Sequence, residues 1–235
     1  STRPKSSAAS DVYKRQLTPS RQKIDPDFLI FFNSFALANE VYLVTGSDRD
    51  KTIEQITHHL YCNCKRVYNC AGNDVYEGDL SVYTNPWELP KDAAEHLLEE
   101  LETSKFPVRT GTHIEVRPGC VNFSIVGRGA NMTERLVYSD WDDIKKEREG
   151  IATRFNDKFP ELHAFVGGVT GVDISNKGSD KSQIIRDFKD GDVVFFGDRM
   201  EEGGNDRPLA DAITDNKLGL VVEVLDWKDT WNKLK

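Results

Sequence analysis

The chain has 235 residues, enough for one elaborated domain or a core carrying an inserted second one, and its 31 basic against 39 acidic residues give a net charge of −8. That balance argues against nonspecific nucleic-acid binding, which needs a basic field to displace counterions, so an anionic ligand would have to be held by local Arg or Lys. No stretch approaches the roughly 20 apolar residues that span a bilayer, and four cysteines, Cys62, Cys64, Cys70 and Cys120, are too few for a disulfide scaffold and lack the paired CxxC spacing of a zinc site, so a cytoplasmic protein with reduced thiols is the simplest reading.

Residues 1–16, STRPKSSAASDVYKRQ, have no apolar period and no capping logic. A disordered N-terminal arm is one reading of such a stretch. A second is that SSAASDVYKRQ resembles one reading frame of a transposase sequencing adapter, which makes residues 1–16 a non-native tail and Leu17 the first native residue. Removing the tail's four basic residues and one acidic residue takes the net charge to −11. From Leu17 onward the texture changes: Asp25 can cap a helix that holds Pro26 in its first turn and places Phe28, Leu29, Phe32 and Phe35 on one face.

VYLVTG (41–46) is a short apolar run, expected as a strand, and Asp48 then opens the helical pattern DKTIEQITHHL. Helical stretches are expected at 91–104 and about 133–159, and between them THIEVRPGCVNFSIVG (112–127) alternates like a hairpin with a Pro-Gly turn. HAFVGGVTGVDIS reads as more strand. After it, KSQIIRDF reads as a helix, DVVFFGD (192–198) as a buried strand, PLADAI as a helix and LGLVVEVL (218–225) as a further strand. Alternating strands and helices predict an α/β fold with a doubly wound, parallel, Rossmann-like core at 17–80 and 180–235. An α+β module with an antiparallel sheet is expected to be inserted at 81–179.

The stretch DVVFFGDRMEEGGND places Asp198 at the carboxyl end of a strand, where open α/β sheets build their sites, and Asp206 follows in a Gly-Gly-Asn-Asp loop. Two carboxylates around a flexible loop suit Mg²⁺, although a solvated acidic turn has the same composition. Lys181 in GSDKSQ stands at a helix start, where it can hold a phosphate as a point charge, and Thr45 can offer its hydroxyl to a phosphoryl oxygen or close its strand. A lysine or threonine alone is more often solvated surface or strand capping.

Strand and Thr45, insertion, Lys181 and then GDR…GGND match in order the later motifs of the haloacid dehalogenase-like phosphotransferases. Within that superfamily, TPSRQKI, IEVRPGCVNFSIVGR, ERLVY, GGVTGVDI and FFGDRMEEGGND resemble eukaryotic-type phosphomannomutases, which carry a C2b-type cap, over nearly all of residues 17–235. The resemblance implies that cap arginines Arg117, Arg128 and Arg135 and core Arg21 hold the substrate, that Asp173 hydrogen-bonds sugar hydroxyls, that Thr45 and Lys181 bind phosphate, and that Asp198 and Asp206 hold Mg²⁺. Guanidinium forks suit that task because they pair with phosphate oxygens and stay charged. It also implies a sugar 1,6-bisphosphate as activator and intermediate, a hexose phosphate as substrate, GDP-mannose synthesis as the setting, and a homodimer through the cap.

Three features depart from the family pattern. Gly171 stands where the family usually has a serine, and Thr45 stands where mutases usually have glycine, which is closer to sugar-phosphate phosphatases of the same cap class. The third concerns the family motif D-x-D-G-T, which belongs immediately before LTPSR. Its two carboxylate positions fall on Val12 and Lys14, so the nucleophile and the acid/base are missing and the printed chain is expected to be inactive. The competing expectations are a Mg²⁺-dependent sugar-phosphate phosphatase and a non-catalytic sugar-phosphate binding protein.

Overall fold

The computed structural model describes residues 16–19, 22–188 and 193–235. Pro26 opens α1 (Pro26–Ala38), and the Asp25 carboxylate caps it by accepting the Asp27 and Phe28 N–H groups. Phe28 and Phe32 are buried, with Leu29 and Phe35 packed against the same cluster. β1 (Tyr42–Val44) then leads to Thr45. The single helix expected next is two, α2 (Arg49–Ile56), capped by Asp48, and α3 (His58–Asn63). Thr57 breaks it with φ at 74°, and its hydroxyl accepts the Leu60 N–H at 3.4 Å. Beyond α3, β2 (Arg66–Asn69) pairs parallel with β1, and β3 (Asp74–Glu77) and β4 (Leu80–Thr84) extend the sheet antiparallel.

The chain divides into two compact units, one holding residues up to Asn85 and from Gly178 onward, the other Pro86–Lys177. Residues 81–84, expected within the inserted module, instead pair with β3 and belong to the first unit. The second unit contains α4 (Lys91–Thr103), β5 (Ile114–Arg117), β6 (Cys120–Phe123), α5 (Met132–Lys145), α6 (Glu147–Lys158), β7 (Leu162–Gly167) and β8 (Gly171–Asn176). Asn131 and Glu134 start α5 with a reciprocal capping box, and Lys146, at φ 54°, separates α5 from α6 where one helix was expected.

The four strands of this unit form one antiparallel sheet in the order β5-β6-β8-β7. Period-2 alternation sorts its faces. Val121, Phe123, Val172, Ile174, Leu162 and Ala164 are buried in one apolar cluster with Leu97 of α4, Tyr138 of α5 and Phe155 of α6. The opposite face carries Glu115, Arg117, Asn122 and Asp173, because Glu115 registers with Asn122 and Asn122 with Asp173. One register therefore buries the core and gathers the polar residues.

The chain returns to the first unit through a 3₁₀ turn at Lys181–Asp187, capped by Asp180, where a helix was expected from KSQIIRDF. β9 (Val193–Gly197), α7 (Arg207–Asp215), β10 (Gly219–Glu223) and α8 (Trp227–Leu234) follow, with β9 and β10 parallel. Trp227 and Trp231 of α8 stack on Phe28 with ring centroids 5.8 and 5.4 Å away. Among the described residues, the parallel core consists of two pieces, β1 with β2 and β9 with β10. Their side chains nevertheless meet in one cluster that includes Val44, Tyr68, Val193, Phe195, Leu209 and Ile213. Among the described residues, no helix is long and apolar enough to cross a membrane.

Candidate active site

In the first unit the polar center is Asp206, which is fully buried. Its Oδ1 lies 2.7 Å from the Lys181 ammonium, itself only 2% exposed, and its Oδ2 accepts the Asp198 and Arg199 backbone N–H groups at 3.0 and 3.1 Å. An ion pair this deep is tolerated because both partners are satisfied locally. The glycines of the GGND loop make this possible. A side chain at Gly204 would stand 2.2 Å from the Arg199 carbonyl, and the loop must fold that tightly for Asp206 to reach back under Gly197 and Asp198. Asp198 itself is half-buried, at the carboxyl end of β9.

Gln16 completes this center, a residue the sequence marked only as the end of a foreign tail. Its amide Nε2 donates to Asp198 Oδ1 at 3.1 Å and to Asp206 Oδ2 at 3.0 Å. Its Oε1 is buried with no hydrogen-bond partner among the described residues. Asp198 Oδ1 and Asp206 Oδ2 therefore converge on the Gln16 amide nitrogen, and with Gln16 withdrawn these two carboxylates are hard oxygen donors that fit a divalent cation such as Mg²⁺.

Thr45 is buried at the end of β1, where its hydroxyl oxygen accepts the Ser47 N–H at 3.0 Å. Its backbone anchors the following turn, since the Ala71 N–H donates to the Thr45 carbonyl at 2.7 Å. Gln183, two residues past Lys181, donates to the Ala71 carbonyl at 2.8 Å, so the segment carrying Lys181 is tied to the same turn that Thr45 holds. Beside Thr45, the buried Ser47 hydroxyl has no partner among the described residues. Ser47 is a second hydroxyl at this position that the sequence reading did not single out. Val12, Lys14 and Arg21 lie outside the described residues.

In the second unit the cap arginines form a connected group. Arg117 and Arg128 both engage Oε2 of Glu115, Arg128 through Nε at 3.1 Å. Arg135 lies in the first turn of α5, and its guanidinium donates to the backbone carbonyls of Ala130 at 2.8 Å and Arg128 at 3.0 Å, which fixes the loop that presents Arg128. Asn122 links the arginines to the acid: its Nδ2 donates to Asp173 Oδ1 at 2.6 Å, and its Oδ1 accepts from Arg128 at 3.3 Å. Burial pushes the Asp173 carboxyl up, against the opposing pull of the Asn122 hydrogen bond and the Arg117 and Arg128 charges.

Gly171 acquires a reason here. A Cβ at this position would lie 2.4 Å from Asn122 Nδ2, so the space a side chain would take is filled by the Asn122 amide, which supplies Asp173 with a donor. Arg117, Arg128 and Asp173, expected from separate motifs, are thus joined through Glu115 and Asn122, and Arg135 meets the group at the Arg128 carbonyl. Glu115 and Asn122 were missed because their role depends on strand register, which neither residue's local sequence reveals.

A family model described as eukaryotic phosphomannomutase matches residues 31–235. The phosphomannomutase of Spinacia oleracea is 30% identical over 206 residues, covering 81% of this chain and 80% of the relative. Phosphomannomutase 1 of Homo sapiens is 30% identical over 204 residues, covering 81% and 78%. A haloacid dehalogenase-like hydrolase from Bacteroides thetaiotaomicron superposes with a TM-score of 0.62 at 10% identity, covering 99% of this chain and 98% of that one. The C-terminal domain of C. albicans trehalose-6-phosphate phosphatase gives 0.64 at 12% identity, covering 98% and 91%. These two likenesses show the fold, a Rossmann-like core with a cap. The match over residues 31–235 shows the family: this chain belongs to the eukaryotic phosphomannomutases.

Proposed function

We propose that this chain binds a hexose phosphate of the mannose 1-phosphate and mannose 6-phosphate class and, as printed, does not turn it over. The observation that carries the binding half is the Arg117, Arg128 and Glu115 group coupled through Asn122 to Asp173. Two guanidinium groups sharing a single carboxylate oxygen leave donors for a phosphate, which can replace Glu115 as their partner, and Asp173 supplies an acceptor for a sugar hydroxyl. In the core, Asp198 would hold Mg²⁺, with Asp206 fixing it from behind through the amides of residues 198 and 199. Bound there, Mg²⁺ would offset charge on phosphate oxygens. Thr45 and Lys181 belong to the phosphate side of this arrangement, Lys181 with Asp206 as its counter-ion.

The lack of turnover follows from residues 12 and 14. Phosphoryl transfer through an aspartyl-phosphate needs a carboxylate nucleophile and a second acid to move the sugar proton, and Val12 and Lys14 supply neither. The family's reaction, exchange of the two mannose phosphates through a sugar 1,6-bisphosphate in a cytoplasmic homodimer, is the activity we assign to the chain once that motif is in place. Exposed Met132, Leu136, Val137 and Ile144 on α5 support the dimer. The test is the variant V12D/K14D/R15G/Q16T, which writes DxDGT before Leu17. With Mg²⁺ and mannose 1,6-bisphosphate it should interconvert the two mannose phosphates, followed by ³¹P NMR, while the printed chain binds mannose 1-phosphate without converting it. A restored motif that still gives no Mg²⁺-dependent turnover would overturn the assignment. Thr45 favors a second reading, a sugar-phosphate phosphatase, and release of inorganic phosphate in place of isomer exchange would select it.

A further inference from the structure

His58 and Cys62 are four residues apart on α3 and therefore share a face, and Asp79, in the turn between β3 and β4, is brought against them. His58 Nε2 lies 2.8 Å from Asp79 Oδ1 and 3.5 Å from Cys62 Sγ, and one donor atom from each residue falls within 4.8 Å of the other two. We propose that His58, Cys62 and Asp79 form a surface site for a tetrahedral transition metal of the Zn²⁺ class, separate from the carboxylates at Asp198 and Asp206.

Imidazole nitrogen, thiolate sulfur and carboxylate oxygen form a borderline-soft donor set that suits Zn²⁺ and leaves the fourth position to water. Tetrahedral Zn²⁺ bond lengths require an N···S edge of about 3.6 Å and an N···O edge of about 3.4 Å. The first is already present at 3.5 Å, and the second needs Asp79 to move out from 2.8 Å, an adjustment open to an exposed turn side chain. Nε2 of His58 faces both other donors, so a single ion can take its place between them.

Arg49 holds the carboxylate in position, with NH2 2.5 Å from Asp79 Oδ1 and its guanidinium over the rings of Tyr61 and Tyr76. Asp79 Oδ1, which faces His58 Nε2, is the oxygen that would meet the ion, and Oδ2 accepts no hydrogen bond among the described residues. Binding through Cys62 replaces the S–H bond with an S–metal bond and releases one proton to solvent, with no change in oxidation state.

Titration of the full chain with Co²⁺, which has the visible spectrum that Zn²⁺ lacks, tests the site. One equivalent should produce thiolate-to-cobalt charge-transfer absorption and tetrahedral d–d bands, and Zn²⁺ should displace both. Cys62→Ser should abolish the charge-transfer band, and His58→Gln and Asp79→Asn should each weaken binding about tenfold or more. Cys120→Ser and Asp198→Asn should leave the band and the affinity as they were, with circular dichroism confirming that each variant is folded. Absence of a saturating one-equivalent band, its persistence in Cys62→Ser, or its loss in Asp198→Asn would overturn the proposal.

Discussion

At the scale of single residues, Gly171 is held to glycine by its neighbour: the Asn122 amide occupies the space, 2.4 Å from where a Cβ would stand. The serine that the family resemblance leads us to expect there should therefore harm the site. Gly171→Ser would push Asn122 off Asp173 and leave that acid without its 2.6 Å donor. We expect it to weaken mannose 1-phosphate binding about tenfold, roughly 1.4 kcal/mol. Gly171→Ser combined with Asn122→Ala should recover part of that loss, so calorimetry on the single and double variants would show strong non-additivity. Equal affinity for Gly171→Ser and the parent chain would sink this account. The sequence made Gly171 visible as a departure but could not show Asn122 as its cause, because the two side chains meet only through the pairing of β6 with β8. The place of Asp198 at the end of β9 was legible because an apolar run ending in Gly-Asp carries its own signature. Gln16 was not, since an amide at the end of a foreign-looking tail carries no chemical pattern.

At the scale of elements, strands and helices with a strong period were legible, and the breaks inside them were not. The apolar spacing of DKTIEQITHHL runs through Thr57, and that of residues 133–159 through Lys146, so neither left-handed residue interrupts the pattern. Glycine, the usual signal for such a turn, is absent at both positions. β4 has a different reason for going unread: its residues are all exposed, and it lacks the alternation of a half-buried strand. Lys146 also offers a test of the strain. It serves as C-cap of α5 and N-cap of α6 at φ 54°, ψ 35°, and among the described residues its side chain pairs with exposed Glu149 at 3.4 Å. An L-residue pays about 1–2 kcal/mol to sit there, which glycine does not, although glycine loses about 0.5–1 kcal/mol in chain entropy. Lys146→Gly should therefore stabilise the chain by about 0.5–1 kcal/mol, seen as a higher urea midpoint with an unchanged slope. A lower midpoint would mean that the lysine side chain contributes more than its geometry indicates.

At the scale of the molecule, the two units differ in how the chain builds them. The first is assembled from two separated segments, each with its own parallel pair, β1 with β2 and β9 with β10, and the two meet through side chains such as Val44, Tyr68, Val193 and Phe195. Pro86–Lys177 is one continuous segment, with every ladder of its sheet internal and an apolar cluster, including Leu97, Phe123, Tyr138, Phe155 and Ile174, drawn wholly from its own residues. A continuous segment with its own core and no broken ladders meets the requirements for autonomous folding, and its length is well above the roughly 40 residues below which chains need staples. Its polar constellation is also internal, since Glu115, Arg117, Asn122, Arg128, Arg135 and Asp173 all lie within it. Expressed alone, residues 86–177 should give a mixed α/β circular dichroism spectrum and a cooperative thermal transition. They should also bind mannose 1-phosphate weakly, with the affinity lost in Arg128→Gln. Light scattering on the same fragment should return twice the monomer mass if α5 forms the proposed dimer. A non-cooperative melt would mean that the cluster around Phe123 and Phe155 needs the rest of the chain. A cooperative fragment that ignored mannose 1-phosphate would move the sugar phosphate away from the arginine surface.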